Sequence, residues 1–389
     1  MRALSTEFIT PEARYGYIPG LDGIRAVAVS IVIAAHLGLA HIVPGGFGVT
    51  VFFFISGFLI TRLLLAEAKT KGIGLKAFYI RRFVRLIPAL AFMVLGTTAL
   101  WAALGLGGPG GWELAAALGY ATNIYWTAAS AGLAEPFMSW THLWSLAVEE
   151  HFYLVFPALV VALGAARRRL IMAVGLLLLI VPLWRLVLTL SLSPEVADTW
   201  TYMMSDARID SILWGCWLSL LLDRADGRAA LSRLVGWTPI LAALATLLAC
   251  FAVRDAVFRQ VLRYSLQGAA LLVVVLNLYH FRPVGFAVRM LEWRSVAKIG
   301  TLSYALYLWH YPVLELAQRG LPGGTPMAEA TRVVVVLCAS YAMALFSFRF
   351  VEGPFIALRK RFGAHIVRTP EAAGAATMPV RVDGMVERT

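Results

Sequence analysis

Long apolar runs alternate with short polar and basic segments along most of the chain. Each run approaches the roughly 20 residues that an α-helix needs to cross the hydrocarbon core of a bilayer. The pattern therefore predicts an all-α polytopic membrane protein with about ten transmembrane helices. The predicted spans cover about residues 23–41, 49–66, 87–106, 142–163, 170–192, 207–222, 237–253, 264–281, 298–317 and 327–350.

The remaining segments predict one membrane domain with short polar ends. We expect a transmembrane domain at 23–355, a cytoplasmic N-terminal segment at 1–22 and a basic cytoplasmic tail at 356–389. The tail is rich in Ala, Gly, Pro and charged residues, a composition typical of disorder. Region 112–130 is apolar but contains Asn123 among several small residues, so we expect an interfacial or re-entrant helix there.

Composition supports the membrane assignment and excludes several other classes. Hydrophobic residues make up 60% of the chain and charged residues 14%, and the mean hydropathy is +0.76. A water-soluble core cannot bury that share of apolar side chains, so a soluble globular enzyme, a disordered chain and a fibrous repeat are excluded. The three cysteines lie in apolar runs without CxxC spacing, so we predict no disulfide and no metal site.

The net charge of +12 is distributed unevenly between the predicted loops. If both termini are cytoplasmic, most of the 34 Lys and Arg residues fall on inner segments. The predicted outer segments hold four arginines, which are Arg254, Arg259, Arg263 and Arg319. This bias follows the positive-inside rule, and it indicates contact with membrane lipid and not with nucleic acid.

Ionisable side chains inside predicted spans are costly and are therefore candidate functional residues. Arg25 and His36 lie 11 residues apart in the first span, about three helical turns, so they share a face. His36 lies near mid-membrane and is a candidate proton acceptor near neutral pH. Two structural alternatives stay open: Arg25 could extend to the headgroups from the helix end, and His36 could form an interhelical hydrogen bond.

The fourth predicted span begins with an unusual group of polar residues. Ser145, Glu149 and Tyr153 follow one another at four-residue spacing and share one helix face. A glutamate there could orient a histidine and stabilise its protonated form, as the acid of a catalytic triad does. The alternative is a buried ion pair between Glu149 or Glu150 and an intramembrane arginine.

A basic cluster follows the second span, in the sequence FYIRRFVRLIP at 78–88. Arg82 and Arg85 are three residues apart, so they lie on one face and could bind phosphate through paired hydrogen bonds. The alternative is an anchor to anionic lipid. Within the second span, Gly57 favours close helix packing, and Ser56 could bond a substrate or a neighbouring helix.

Two further positions are candidates for binding a substrate. Asp210 lies at the outer edge of the sixth span, although pairing with an arginine is the more frequent role for such a residue. His310 follows Tyr304 and Tyr307 at three-residue steps, so the three side chains share a face. Part of this tyrosine-rich stretch could also belong to an interfacial aromatic belt.

Taken together, these residues resemble the acyltransferase-3 family of membrane O-acyltransferases. The resemblance covers roughly residues 15–355 and rests on six motifs in order. The motifs are IPGLDGIRAVAVSIVIAAHLG (18–38) with its Arg-x10-His spacing, GGFGVTVFFFISGFLIT (45–61), Arg-x-x-Arg at 82–85, WSLAVEE (144–150), Arg-x-Asp-x4-Gly at 208–215 and SYALYLWHYP (303–312).

The resemblance implies an acyl-CoA donor, commonly acetyl-CoA, on the cytoplasmic side, and no permanently bound cofactor. Arg82 and Arg85 would bind the phosphates of the donor, and Arg25 would assist. His36, oriented by Glu149, would remove the proton of the acceptor hydroxyl. The residues implied for binding the acceptor or the developing oxyanion are Ser56, Tyr153, Asp210 and His310.

The resemblance also implies the class of acceptor and the cellular location. A hydroxyl of a sugar, polysaccharide or glycolipid is expected, with a glycosylated macrolide antibiotic as the alternative. The length leaves no room for the fused SGNH domain of some relatives, so a stand-alone protein of the bacterial inner membrane is expected. A secondary transporter is the rival from another class, but we see no inverted repeat and no paired broken helices.

Overall fold

The computed structural model describes residues 18–42, 44–70, 72–134, 140–163, 167–321 and 324–359. Within these residues the chain is helical and contains no β-strand, so the predicted all-α class is confirmed. Most of the predicted polar ends, at 1–22 and 356–389, lies outside the described residues.

Eighteen α-helices make up most of the described part of the chain. They are α1 (Leu21–Ala34), α2 (Gly45–Thr70), α3 (Leu75–Ala103), α4 (Gly111–Leu118), α5 (Thr122–Ser130), α6 (Trp144–Leu163), α7 (Arg167–Ser191), α8 (Pro194–Met203), α9 (Ser205–Leu222), α10 (Ala225–Leu231), α11 (Trp237–Ala252), α12 (Ala256–Val261), α13 (Arg263–His280), α14 (Phe286–Leu291), α15 (Arg294–Thr301), α16 (Ser303–Gly320), α17 (Pro326–Phe346) and α18 (Gly353–Arg359). Three short 3-10 turns occur at Thr141–Leu143, Ser232–Leu234 and Arg282–Val284, and two π-helical turns at Ala35–Leu39 and Ser347–Glu352.

Six helical stretches of the described chain are long and apolar enough to cross a membrane, which makes this a multi-pass membrane protein. They are Leu21–Leu39, Gly45–Lys69, Leu75–Ala103, Thr141–Leu163, Arg167–Ser191 and Pro326–Ile356. The number rises to eight if each of two bent helix pairs is one span. The bent pairs are Ala225–Leu234 with Trp237–Ala252, and Arg263–His280 with Arg282–Leu291.

The predicted number of about ten spans is larger than the six to eight candidate spans found by length and hydropathy among the described residues. The two predicted spans without a counterpart, 207–222 and 298–317, correspond to α9 and to most of α16, each of 18 residues. α9 carries the charged residues Asp206, Arg208 and Asp210, which make it less apolar than the six clear candidates. The count of ten and the cytoplasmic position of both termini stay predictions.

The apolar region 112–130 forms α4 and α5 and not one continuous helix. These helices have eight and nine residues, each less than half of the roughly 20 that a span requires. The region therefore does not cross the hydrocarbon core as a single helix, in keeping with the expected interfacial or re-entrant segment.

α2 lies at the centre of the bundle and packs closely against α9. The close approach depends on two glycines. A Cβ atom on Gly57 would lie 2.0 Å from the carbonyl oxygen of Ile212, and one on Gly215 would lie 1.9 Å from the carbonyl oxygen of Phe54. Any larger residue would push the two backbones apart, so the predicted packing role of Gly57 is confirmed.

The outer surface of the bundle is apolar, as a lipid-facing surface must be. α7 shows this most clearly, because its exposed leucines recur every three or four residues. The exposed positions include Leu176, Leu179, Leu183 and Leu190, whereas the buried positions include Leu170, Val174, Leu178 and Val181. One face of α7 is thus available to lipid, and the other packs on α9.

Candidate active site

The first functional group lies where α1 loses its regular geometry. α1 continues into the π-helical turn Ala35–Leu39, in which Gly38 has a φ of +98°. π-helical turns are frequent at functional sites. His36 lies in this turn and is exposed, so its imidazole can be reached from outside the bundle.

Three histidines from separate segments meet at this turn. The Nδ1 atom of His36 lies 2.9 Å from the Nε2 atom of His310 in α16, with the two rings stacked at a centroid distance of 5.1 Å. His142, in the 3-10 turn before α6, packs its ring 5.4 Å from that of His310. Tyr311 closes the group, because its ring contacts His36 at 5.4 Å and His142 at 5.0 Å.

The hydrogen bonds of His310 determine the direction of the histidine pair. Its Nδ1 atom lies 2.7 Å from the carbonyl oxygen of Tyr307. A carbonyl only accepts, so this nitrogen carries the proton, and Nε2 of the neutral ring is an acceptor. The Nδ1–H of His36 therefore donates to His310. The Nε2 atom of His36 is left unprotonated, and it forms no hydrogen bond with any described residue.

Tyr307 attaches this group to the start of α6. Its hydroxyl donates to the carbonyl oxygen of His142 at 2.7 Å and accepts from the Ser145 hydroxyl at 2.6 Å. The Nε2–H of His142 in turn donates to the carbonyl oxygen of Leu308 at 3.2 Å. Two segments distant in sequence thus hold His310 in a fixed position beneath His36.

His142 was not singled out in the sequence, although a signal for it exists. It lies three residues before Ser145 and seven before Glu149, a spacing that keeps it on the polar face of the fourth span. His310 was predicted to bind the acceptor. It is only 1% exposed and bonds His36, and binding of the acceptor by His310 stays a prediction.

A second polar group joins α2, α3 and α6 around Arg82. Its guanidinium bonds Oε1 of Glu149 at 3.3 Å and Oε1 of Glu150 at 2.9 Å. The same Oε1 atom of Glu149 accepts from the hydroxyl of Ser56 at 2.6 Å and from that of Tyr153 at 2.8 Å. Glu149 and Tyr153 therefore share one helix face, as predicted, and this face contacts Arg82.

This geometry shows that the predicted pairing of Glu149 with His36 is wrong. Glu149 bonds Arg82, Ser56 and Tyr153, whereas His36 bonds His310. The physical reason is that a half-buried carboxylate is stabilised most by a full positive charge, and Arg82 supplies one from α3. The alternative of an ion pair between a glutamate and an intramembrane arginine is confirmed.

The same contacts bear on the expected phosphate site. Arg82 faces two carboxylates, Glu149 and Glu150, so a phosphate would have to compete with two anions for it. Arg85, one turn further along α3, is exposed. Arg25, at the other end of α1 from His36, pairs with Asp22 at 3.3 Å. Binding of a donor by these arginines stays a prediction.

Asp210 forms a buried ion pair, and its predicted contact with substrate stays a prediction. It is fully buried, and its two carboxylate oxygens lie 3.0 and 2.9 Å from the guanidinium nitrogens of Arg185. The hydroxyl of Ser265 donates to it at 2.6 Å. Both oxygens are thus occupied, and the expected alternative of pairing with an arginine is correct.

A family model described as an acyltransferase domain matches residues 18–349. The chain belongs to the acyltransferase-3 family. The matched residues include both the histidine group and the Arg82 group, so both lie within the acyltransferase-3 domain. The family resemblance drawn from the six motifs is confirmed.

Several relatives are 30–31% identical to this chain over the aligned residues. The peptidoglycan O-acetyltransferase OatA of Listeria monocytogenes is 31% identical over 376 residues, which cover 87% of this chain and 56% of OatA. A candidate O-acetyltransferase of Staphylococcus aureus is 30% identical over 365 residues, which cover 90% of this chain and 59% of the relative. A candidate peptidoglycan O-acetyltransferase of Bacillus subtilis, YrhL, is 31% identical over 353 residues, which cover 87% of this chain and 55% of YrhL.

This chain therefore spans somewhat more than half the length of these acyltransferase-3 relatives. No solved structure matches it significantly.

Proposed function

We propose that this protein is a membrane O-acetyltransferase that transfers an acetyl group from acetyl-CoA to a hydroxyl of a carbohydrate in the bacterial inner membrane. The relatives support the reaction, and two of them are named for peptidoglycan, a carbohydrate polymer. None of these relatives is named for a macrolide, so we propose a carbohydrate acceptor. The observation that carries the proposal is the hydrogen-bonded pair of His36 and His310.

His36 is the proposed general base. Its Nε2 atom accepts the proton of the acceptor hydroxyl while the hydroxyl oxygen attacks the thioester carbonyl of acetyl-CoA. The ester C–O bond forms and the C–S bond to CoA breaks. The proton then passes from His36 to the departing thiolate, so the products are the acetyl ester and free CoA, and His36 returns to its neutral form.

His310 takes the orienting role that the sequence predicts for Glu149. By accepting from the Nδ1–H of His36, it keeps Nε2 as the atom that accepts the proton. A neutral imidazole orients its partner without adding a negative charge. The pair is therefore suited to a base that must stay neutral until the acceptor hydroxyl arrives.

For the donor, we assign the main phosphate contact to Arg85, with Arg82 and Arg25 in support. Arg85 is exposed, whereas Arg82 is half-buried against two glutamates, so Arg85 is the more accessible of the two to a phosphate. Ser56 and Tyr153 hold Glu149 in place beside Arg82, and we assign them to this support of the donor site.

The test uses the purified full chain in nanodiscs with radiolabelled acetyl-CoA and soluble peptidoglycan fragments. We expect label in the glycan, and a loss of roughly 100-fold or more in rate for His36→Ala, since general base catalysis contributes at least that much. His41→Ala is the matched control, because His41 lies five residues further along and has no part in the histidine group. The proposal would be contradicted if His36→Ala transferred acetyl groups at the rate of the wild type, or if the wild type transferred none to any glycan.

A further inference from the structure

A cavity of about 290 Å³ opens at the end of the bundle where α1 ends and α2 begins. Its volume is close to the lower limit of about 300 Å³ for small-molecule sites. Ala40, four residues after His36, is part of its wall, so the cavity and the proposed base lie at the same end of α1. The lining residues that matter here are Tyr202, Arg254, Arg259, Arg263, Tyr264 and Gln267.

Positive charge dominates this cavity. Arg254, Arg259 and Arg263, which we call the arginine pocket, share it with one carboxylate, that of Asp198. Arg254 and Arg259 form no ion pair or hydrogen bond with any described residue. Arg263 donates through Nη2 to the Tyr264 hydroxyl at 2.7 Å, but its buried Nε–H has no partner among the described residues. The cavity therefore offers several unused donors.

The distribution of charge along the sequence makes the arginine pocket unusual. The positive-inside rule leaves few cations for the predicted outer segments, and this chain has four there. Three of those four line one cavity. The fourth, Arg319, pairs instead with Glu315 at 2.6 Å on its own helix. The grouping of three outer arginines around one cavity needs an explanation at that cavity, and an anionic ligand provides one.

A further cation lies behind the wall of the cavity. Arg208 is fully buried, with its guanidinium carbon 3.7 Å from the centre of the Tyr264 ring. Its Nη2 donates to Thr50 at 3.2 Å, and Thr50 donates to Gln267 of the cavity wall at 3.3 Å. Its Nε and Nη1 have no partner among the described residues. A buried and incompletely bonded cation is costly, and an anion in the adjacent cavity would reduce that cost.

The tyrosines of the wall suit a sugar. Tyr202 and Tyr264 each combine an apolar ring with a hydroxyl, so they can contact both the faces and the hydroxyls of a glycan. Burial raises the pKa of Tyr202, so its phenol stays protonated and adds no negative charge to repel an anion. The ring of Tyr202 also contacts that of Trp144 at 4.8 Å, and Trp144 directly precedes Ser145 of the histidine group.

We propose that the arginine pocket binds an anionic group, a carboxylate or a phosphate, of the glycan acceptor and so selects acidic glycans for acetylation. This proposal rests on the proposed O-acetyltransferase function. Arg254 and Arg259 bind the anion through charge-assisted hydrogen bonds, and Tyr202 and Tyr264 contact the sugar that carries it. The hydroxyl to be acetylated is then presented at the same end of α1 as His36.

Binding is measured directly, without turnover, on the full chain in nanodiscs of uncharged phosphatidylcholine. The probes are a fluorescent uronic acid trisaccharide, a fluorescent sugar 1-phosphate and a neutral trisaccharide with the same label. We expect at least one acidic probe to bind about 10-fold or more tightly than the neutral one, since the acidic probe alone forms charge-assisted hydrogen bonds with the arginines. The two acidic probes distinguish a carboxylate ligand from a phosphate ligand.

The decisive variant replaces all three arginines, as R254Q/R259Q/R263Q. It should lose the preference for the acidic probe, whereas Arg319→Gln, an arginine outside the cavity, should keep it. The salt dependence of binding provides a second measurement if the triple variant does not fold. Raising the ionic strength should lower the affinity for the acidic probe and leave the affinity for the neutral probe unchanged.

Three results would overturn the arginine pocket as a site for acidic glycans. They are equal affinity for acidic and neutral probes, unchanged preference in the folded triple variant, and displacement of the acidic probe by phosphatidylglycerol in the nanodisc, which would assign the pocket to lipid. Acetyl transfer is followed separately. Equal transfer to neutral and acidic glycans would contradict the selection of acidic glycans but not the O-acetyltransferase function. Tight binding of an acidic probe without transfer to any glycan would contradict the O-acetyltransferase function but not the arginine pocket.

Discussion

The Nδ1 atom of His36 lies 2.9 Å from the Nε2 atom of His310, so the imidazoles of two residues 274 positions apart in the sequence form a direct hydrogen bond. Because His310 donates its other N–H to the Tyr307 carbonyl, the hydrogen bond can run in only one direction while both rings are neutral. The free Nε2 of His36 is then fixed as the accepting atom. The chemistry we assign to this protein follows from that direction.

Glu149→Gln tests whether the carboxylate acts on His36. Glu149 bonds Arg82 and not His36, so we expect the pH–rate profile of acetyl transfer to keep its shape over roughly pH 5–8, where a histidine base titrates. Stability should fall, because Arg82 loses one of its two carboxylate partners. Tyr153→Phe is the matched control, since it removes one hydrogen bond to Glu149 without changing any charge. A displaced pH–rate profile in Glu149→Gln alone would restore the carboxylate as the partner of the base.

Asp210→Asn should destabilise the fold without a specific effect on chemistry. It leaves Arg185 charged, buried and without its full ion pair, a change that typically costs about 3–5 kcal/mol. Thermal unfolding of the detergent-solubilised protein measures this. Asp226→Asn, in the exposed pair with Arg224, is the control and should change the midpoint little. Equal midpoints for the two variants would mean that the buried pair is not what stabilises this part of the bundle.

Gly57→Ala should separate α2 from α9. The added Cβ would lie 2.0 Å from the Ile212 carbonyl oxygen, which belongs to a helix backbone and cannot rotate away. We expect little folded protein by size-exclusion chromatography with tryptophan fluorescence. Gly96→Ala is the control, because the nearest atom to its Cβ would be Trp309 Cη2 at 3.9 Å, and alanine favours a helix over glycine. Normal yield of Gly57→Ala would show that the two helices tolerate a wider spacing.

Much of the fold could be predicted from local pattern. Apolar runs near the length of a bilayer locate the helices, and a single small residue such as Gly57 indicates where two of them approach closely. The number of spans is harder to predict. α9 carries Arg208 and Asp210 because neighbouring helices accommodate them, with Arg185 on α7 and Thr50 on α2. Hydropathy of one segment cannot report on partners that other segments contribute.

The candidate site was predictable in its residues but not in their pairing. The sequence identifies His36, Glu149 and Arg82 as candidates, because ionisable residues in spans have few structural reasons to exist. Their partners depend on how α1, α3, α6 and α16 are arranged, which helical periodicity does not contain. The π-helical turn at Ala35–Leu39 likewise depends on the packing around it, since only Gly38 in its sequence suggests a break. The sequence predicts an acceptor contact for His310, because nothing in its own helix points to α1.

We propose that His36 and His310 act as one catalytic unit, and a double-mutant cycle on acetyl transfer tests this most directly. The rates of His36→Gln, His310→Gln and the double variant are compared with the wild type under saturating acetyl-CoA. Residues that act as a unit are strongly non-additive, so the double variant should be no slower than His36→Gln alone, and His310→Gln should lose at least about 10-fold. Wild-type activity of His310→Gln, or losses that multiply in the double variant, would contradict the account.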